Sequence, residues 1–193
     1  MKDIKNIKYD FLNRFKSGET LAIILTNKCN LKCSYCACDL LSCGKVKIKT
    51  EQNLREWVKT INEFPVTIKE VLITGGEPTL HKDFEGLVHL LLNRSIMVTI
   101  WTNLVKPITL EKSPRLKIVA TYHHSASKTK FISNLEKLKG YQKVVYSFSN
   151  IFDGKSKNLF LEDTKENFPD CYRKRFVFAP DGKLFLSVKE AIS

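Results

Sequence analysis

The 193-residue sequence contains no apolar run approaching the roughly 20 residues that a helix needs to cross a bilayer. Its first residues, Met1 to Lys5, carry mixed charge and do not resemble the apolar region of a signal peptide. It also has no internal repeat and no low-complexity tract, which argues against repeat architectures. We therefore expect a cytoplasmic protein with no membrane-spanning segment.

The chain is also short for a complete eight-unit βα barrel, which typically needs about 250 residues. Its apolar content is nevertheless enough for a substantial core, so we expect a single domain over residues 1–193. Within it, residues 1–18 are interpreted as an N-terminal extension and residues 168–193 as a C-terminal cap.

Short apolar runs alternate with segments of helical periodicity, which is typical of parallel βα units. Strands are predicted at 21–26, 69–74, 96–101, 116–122 and 144–148. Helices are predicted after Thr50, with Thr50 as the cap and Glu51 in the first turn, from about Asp83, and over 128–139. Pro107 and Pro114 predict a very short helix or an irregular connection between strands three and four. The pattern predicts an α/β fold, a partial (β/α)5-6 TIM-like barrel with mostly parallel strands and a short C-terminal β-hairpin near 176–186.

Four of the six cysteines fall within ten residues, a crowding that suits metal binding better than a disulfide framework. Cys29, Cys33 and Cys36 are spaced Cys-x3-Cys-x2-Cys in the loop that leaves the first predicted strand. Three thiolates are one fewer than the four that usually close an iron–sulfur cluster, so one iron would stay open to bind another molecule. The triplet alone also fits zinc or a closed cluster, with Cys38 or Cys43 as the fourth ligand.

A second loop of unusual composition, Gly75-Gly76-Glu77-Pro78, follows the second predicted strand. Adjacent glycines permit close backbone approach and conformations that other residues avoid. Pro78 stiffens the end of the loop, and Glu77 contributes a carboxylate. Such a loop suits a cationic ammonium group held beside the cysteine loop.

The cysteine triplet, the aromatic residue before its last cysteine and the Gly-Gly-Glu-Pro segment together resemble the radical S-adenosylmethionine (SAM) superfamily. The resemblance implies a [4Fe–4S] cluster on Cys29, Cys33 and Cys36, with SAM on the open iron. It also implies that Gly75, Gly76 and Glu77 contact the methionine amino group of SAM, and that Tyr35 packs near its adenine. Reductive cleavage of SAM would give a 5′-deoxyadenosyl radical that removes hydrogen from a substrate, with electrons from a donor such as flavodoxin or ferredoxin.

Polar residues at the ends of the later strands are further candidates for the same rim. In the superfamily that the chain resembles, a Thr-Asn pair often follows the third strand, and Asn103 matches the Asn of that pair. By the same resemblance, Ser147 and Asn150 are interpreted as contacts to the ribose of SAM. Each of these is equally an ordinary capping or turn residue. His123 and His124 are candidate catalytic residues, as proton donor or substrate contact, or else an exposed turn pair. Adjacent strand residues face opposite ways, so at most one histidine should face the barrel mouth.

The net charge of +12, from 32 basic and 20 acidic residues, favours anionic partners such as nucleotides or nucleic acid, although a solvated basic surface explains it equally well. Within the resembled superfamily, peptide modification and activation of a glycyl-radical enzyme are alternatives. A non-catalytic metal-binding module that binds nucleic acid is the alternative from another class. Cys171 resembles the start of an auxiliary-cluster region, but no cysteine follows it.

Overall fold

The computed structural model describes residues 21–33, 50–64, 67–148, 177–178 and 184–185, and its core is one mostly parallel sheet. The strands are β1 (Leu21–Thr26), β2 (Glu70–Gly75), β3 (Met97–Thr102), β4 (Leu116–His123), β5 (Gln142–Phe148), β6 (Val177–Phe178) and β7 (Leu184–Phe185). Their order across the sheet is β5-β4-β3-β2-β1-β6-β7. The pairs from β5 to β6 are parallel, and β6 pairs antiparallel with β7.

The predicted partial barrel with a C-terminal hairpin is confirmed. Over the described strands, β5 and β7 stand at the two ends of the order, so the sheet is not closed into a barrel. Because β1 to β6 are parallel, their carboxyl ends lie at one edge of the sheet. That edge carries the cysteine loop after β1 and the glycine-rich loop after β2.

Three helices lie on the connections between the described strands: α1 (Leu54–Asn62), α2 (Phe84–Asn93) and α3 (Lys128–Lys137). A 3-10 turn at Pro78–Leu80 follows the glycine-rich loop. The connection from β3 to β4 is irregular, as the two prolines predict, because proline cannot supply the helical backbone donor.

The start of α1 corrects one prediction. Asn53, not Thr50, caps the helix: its side chain accepts from the Glu56 backbone N–H, and the Glu56 carboxylate accepts from the Asn53 N–H. This reciprocal capping box satisfies two backbone donors at once, which a cap at Thr50 without an acidic partner three residues on does not. Glu51 lies before the helix and binds elsewhere.

One face of the sheet packs against the helices in rows set by the strand register. Leu21 aligns with Val71, Val71 with Val98 and Val98 with Leu116, and all four are almost completely buried. The helices cover these rows with Trp57, Ile61, Phe84, Leu87, Val88, Leu91 and Phe131. Each large side chain buried in this way stabilises the fold by roughly 1.5–3 kcal/mol. The packed helices therefore fix the position of the sheet edge that carries the cysteine and glycine-rich loops.

In the part of the chain that the structure describes, no helix has both the length and the apolar character needed to span a membrane.

Candidate active site

The cysteine loop leaves the carboxyl end of β1, as predicted. Cys29 is exposed and Cys33 is buried, with 8% of its surface accessible. The remaining cysteines (Cys36, Cys38, Cys43 and Cys171) lie outside the described residues, as does Tyr35. The structure therefore positions two of the three predicted cluster ligands.

The glycine-rich loop lies directly against the start of the cysteine loop. The Gly76 N–H donates to the Thr26 carbonyl over 2.8 Å, and the Glu77 N–H donates to the Lys28 carbonyl over 2.7 Å. A Cβ at Gly75 or Gly76 would collide with the carbonyl oxygen of Thr26 or Lys28, and Gly75 also has a φ of 140°. Only glycine lets the two loops come this close, so the glycines fix the distance between the cysteines and the Glu77 turn.

Glu77 is fully buried and accepts four hydrogen bonds from its own chain. Oε1 accepts from the Thr79 N–H over 3.1 Å, from the Thr79 hydroxyl over 2.6 Å and from the Thr102 hydroxyl over 2.9 Å. Oε2 accepts from the Asn103 N–H over 2.8 Å. Burial raises the pKa of Glu77 while these donors oppose the rise. The carboxylate thus joins the end of β2 to the end of β3, and its predicted contact with a methionine amino group stays a prediction.

Asn103 links the same turn to the cysteine loop. Its Nδ2 lies 2.7 Å from Asn30 Oδ1 and 3.8 Å from Cys29 Sγ, while its Oδ1 accepts from the Val105 N–H over 3.0 Å. In this structure Asn103 therefore orients the cysteine loop, and its predicted role as a SAM contact stays a prediction.

The turn after Asn103 is held by a residue that sequence reasoning missed. Leu104 has a φ of 53°, a region that costs a non-glycine residue energy unless the surroundings impose it. Asn134 of α3, 4% exposed, donates from Nδ2 to the carbonyls of Leu104 at 3.0 Å and Val105 at 3.1 Å. The sequence did contain a signal for Asn134. It is a polar residue on the apolar face of α3, three positions after buried Phe131 and four before buried Leu138.

The end of β4 brings a third set of polar groups to this edge. Ser125 Oγ lies 3.1 Å from Cys33 Sγ. His123, the last residue of β4, is partly buried, and His124, in the turn that follows, is exposed. Burial, and to a smaller extent the charge of His124, lowers the pKa of His123 to about 4. Ser147 lies within β5, and Asn150 lies outside the described residues.

Glu51 ties the segment before α1 to the end of β1. It accepts from the Thr26 hydroxyl and from Lys28 Nζ, the latter over 3.0 Å. Although partial burial raises the pKa of Glu51, these hydrogen bonds and the Lys28 charge bring it below its usual value. The predicted place of Glu51 in the first turn of a helix is wrong, because its carboxylate is engaged by β1.

The residues present fit an iron–sulfur cluster. Asn103 and Ser125 lie within hydrogen-bond distance of Cys29 Sγ and Cys33 Sγ, and the Leu31 N–H donates to Cys29 Sγ over 3.4 Å. Donors of this kind are what thiolate ligands receive in clusters. Over the described residues no three His, Cys, Asp or Glu side chains form a metal site by themselves, and the third predicted ligand, Cys36, lies outside them.

The family model described as the Radical SAM superfamily matches residues 23–149. A Methanocaldococcus jannaschii chain, provisionally named as a glycyl-radical enzyme activating enzyme, is 36% identical over 80 residues, or 42% of this chain and 30% of its own. GTP 3′,8-cyclase of Vibrio vulnificus is 37% identical over 86 residues, 44% of this chain and 26% of its own. PqqA peptide cyclase of Rhodopseudomonas palustris is 33% identical over 107 residues, 53% of this chain and 26% of its own.

These matches span less than a third of the relatives' own lengths. Among solved structures, Streptococcus suis SuiB bound to the precursor peptide SuiA shares the fold with a TM-score of 0.50 at 22% identity. That similarity covers 75% of this chain and 35% of SuiB. The family model covers more than half of the chain, and its relatives are named as enzymes. The chain is therefore an enzyme of the radical SAM superfamily, whose cofactors are a [4Fe–4S] cluster and SAM.

Proposed function

We propose that Cys29, Cys33 and Cys36 hold the [4Fe–4S] cluster and that the Gly75–Glu77 turn receives the methionine end of SAM beside it. When bound and reduced, these cofactors supply a 5′-deoxyadenosyl radical that removes a hydrogen atom from the substrate. The observation that carries the proposal is the direct packing of the glycine-rich turn on the cysteine loop through the Gly76 and Glu77 backbone hydrogen bonds.

The chain's own residues would orient the cofactors. Glu77, held by four donors, fixes the turn so that its backbone is already in place when SAM arrives. Preorganisation of this kind lowers the cost of binding, because no loop has to be ordered at that moment. Asn103 extends the same network to Cys29 and Asn30.

His123 is the better placed of the two candidate histidines, because it is partly buried at the end of β4. A pKa near 4 leaves the imidazole neutral at pH 7. We therefore assign it as a neutral hydrogen-bonding group for SAM or substrate, in preference to a proton donor.

A nucleotide is the substrate class that we propose first. The net charge of +12 concentrates anions, and the GTP 3′,8-cyclase relative acts on a nucleotide by its name. A peptide is the second candidate, supported by the PqqA peptide cyclase relative, whose match covers more of the chain. Activation of a glycyl-radical enzyme would require a protein partner, and the Methanocaldococcus jannaschii relative supports that candidate.

The cluster needs a reductant and a compartment where thiols stay reduced. We therefore propose a cytoplasmic location and an electron donor such as flavodoxin or ferredoxin.

The test is anaerobic reconstitution with iron and sulfide, reduction with dithionite, and quantification of 5′-deoxyadenosine from SAM. We expect product from the wild type and none from Cys33→Ala. Product that rises with GTP or another nucleotide, but not with peptides, supports the nucleotide proposal, and the reverse pattern supports the peptide candidate. A wild-type protein that binds metal but yields no 5′-deoxyadenosine with any candidate contradicts the proposal and favours a non-catalytic module.

A further inference from the structure

Ser125, in the turn directly after β4, is close to a predicted cluster ligand that lies 92 positions away in the sequence. Its Oγ lies 3.1 Å from Cys33 Sγ, within hydrogen-bond distance. The turn is fixed at its base, because the Ala126 N–H donates to the His123 carbonyl over 2.8 Å. The Ser125 hydroxyl therefore belongs to a short turn beside the last residue of β4, not to a long loop.

In the free thiol form either atom of this pair can donate the hydrogen. A cysteine that ligates iron is a thiolate and has no proton to give. If Cys33 is a cluster ligand, the Ser125 hydroxyl must be the donor and the Cys33 sulfur the acceptor.

The burial of the two cysteines makes this donor more important for Cys33 than for Cys29. Cys33 is buried, with 8% of its surface accessible, whereas Cys29 is exposed. A buried sulfur has less access to water, so its hydrogen bonds must come mainly from the protein. Cys29 in contrast already receives the Leu31 N–H, with Asn103 Nδ2 close by.

Adding one electron to a [4Fe–4S] cluster increases the negative charge on its cysteine sulfurs. A hydrogen bond to a sulfur therefore stabilises the reduced state more than the oxidised state and raises the reduction potential. No bond to Ser125 is made or broken when the electron enters, so its effect is purely electrostatic.

We propose that Ser125 is a positioning residue that donates a hydrogen bond to the Cys33 thiolate and raises the reduction potential of the cluster. This inference rests on the proposed function, because it requires Cys33 to be a ligand.

The experiment is an EPR-monitored redox titration of the reconstituted protein, with dithionite as reductant and without SAM. Ser125→Ala should make one-electron reduction of the cluster about tenfold less favourable, which corresponds to about 59 mV. Ser125→Thr, which keeps the hydroxyl, should stay close to the wild type. Ser113→Ala is the matched control, since Ser113 Oγ accepts from the backbone N–H of the exposed Arg115, before the start of β4.

Ser125→Gly provides a second deletion of the hydroxyl, because glycine is well tolerated in an exposed turn. A residue that only shapes the turn, or only contacts SAM, would leave the potential without SAM unchanged. Unchanged potentials in both deletion variants, measured on intact clusters, therefore overturn the inference and leave the proposed function standing. A wild-type protein that takes up no [4Fe–4S] cluster overturns both.

Discussion

Replacing Glu77 by glutamine isolates the hydrogen-bond network that joins the glycine-rich turn to β3. The carboxylate accepts three hydrogen bonds at Oε1 and one at Oε2. Glutamine has the same shape but only one acceptor oxygen. If that oxygen takes the Oε1 position, the amide NH2 faces the Asn103 N–H, and two donors meet in a fully buried space.

A buried donor left without an acceptor costs about 1–3 kcal/mol, so Glu77→Gln should destabilise the protein by that amount. Glu77→Ala leaves all four donors without their acceptor and should cost more than about 3 kcal/mol. Because Asn103 also approaches the cysteine loop, both variants should retain less cluster after reconstitution than the wild type.

The assay is urea denaturation followed by circular dichroism, with cluster content measured from bound iron and sulfide. Glu85→Gln is the matched control: Glu85 lies exposed on α2 and accepts from the Thr109 hydroxyl, so its change should stay within about 0.5 kcal/mol. A Glu77→Gln variant as stable as this control, with full cluster content, would refute the assigned role of the network.

Three further predictions concern other parts of the same edge. Because the pKa of His123 is lowered to about 4, the unfolded chain binds more protons than the folded one between about pH 4 and pH 6.5. The free energy of unfolding should therefore fall as the pH is lowered from 6.5 to 4, with no further loss from His123 below that. Discounted for the partial exposure of His123, the fall is about 1–2 kcal/mol. Denaturation midpoints across this range should fall less in His123→Asn. Asn134→Ala removes the donor to the Leu104 carbonyl and should lower the free energy of unfolding by about 1–3 kcal/mol in the urea denaturation assay. A variant as stable as the wild type would show that Asn134 does not hold the turn at Leu104. Gly76→Ala places a methyl group against the Lys28 carbonyl, and it should reduce cluster content more than Gly86→Ala, where the neighbour is a flexible leucine side chain.

The sequence was sufficient for the strands and for the positions of the cysteine loop after β1 and the glycine-rich loop after β2. The apolar run of β1 and the four residues from Gly75 to Pro78 are local signals, and parallel topology then brings the carboxyl strand ends together. The buried residues of α2 and α3, among them Phe84, Leu87 and Phe131, recur at the helical spacing from which these two helices were predicted.

What the sequence could not predict depends on pairs of distant residues. The cap of α1 is a different case: Asn53 and Glu56 are only three positions apart, and this spacing is a local signal for the capping box that favours Asn53 over Thr50. Asn134 meets the Leu104 carbonyl across 30 positions, and Ser125 meets Cys33 across 92. Such contacts are set by how the strand ends converge in three dimensions, and no local pattern records them.

We propose that three particular cysteines of the six hold the cluster and leave one iron open for SAM. The most direct measurement is the yield of 5′-deoxyadenosine from six single Cys→Ala variants, each reconstituted and reduced in the same way. We expect no product from the variants of Cys29, Cys33 and Cys36, and product from those of Cys38, Cys43 and Cys171. Loss of product and of metal in Cys38→Ala as well, or product from any of the first three, would contradict it.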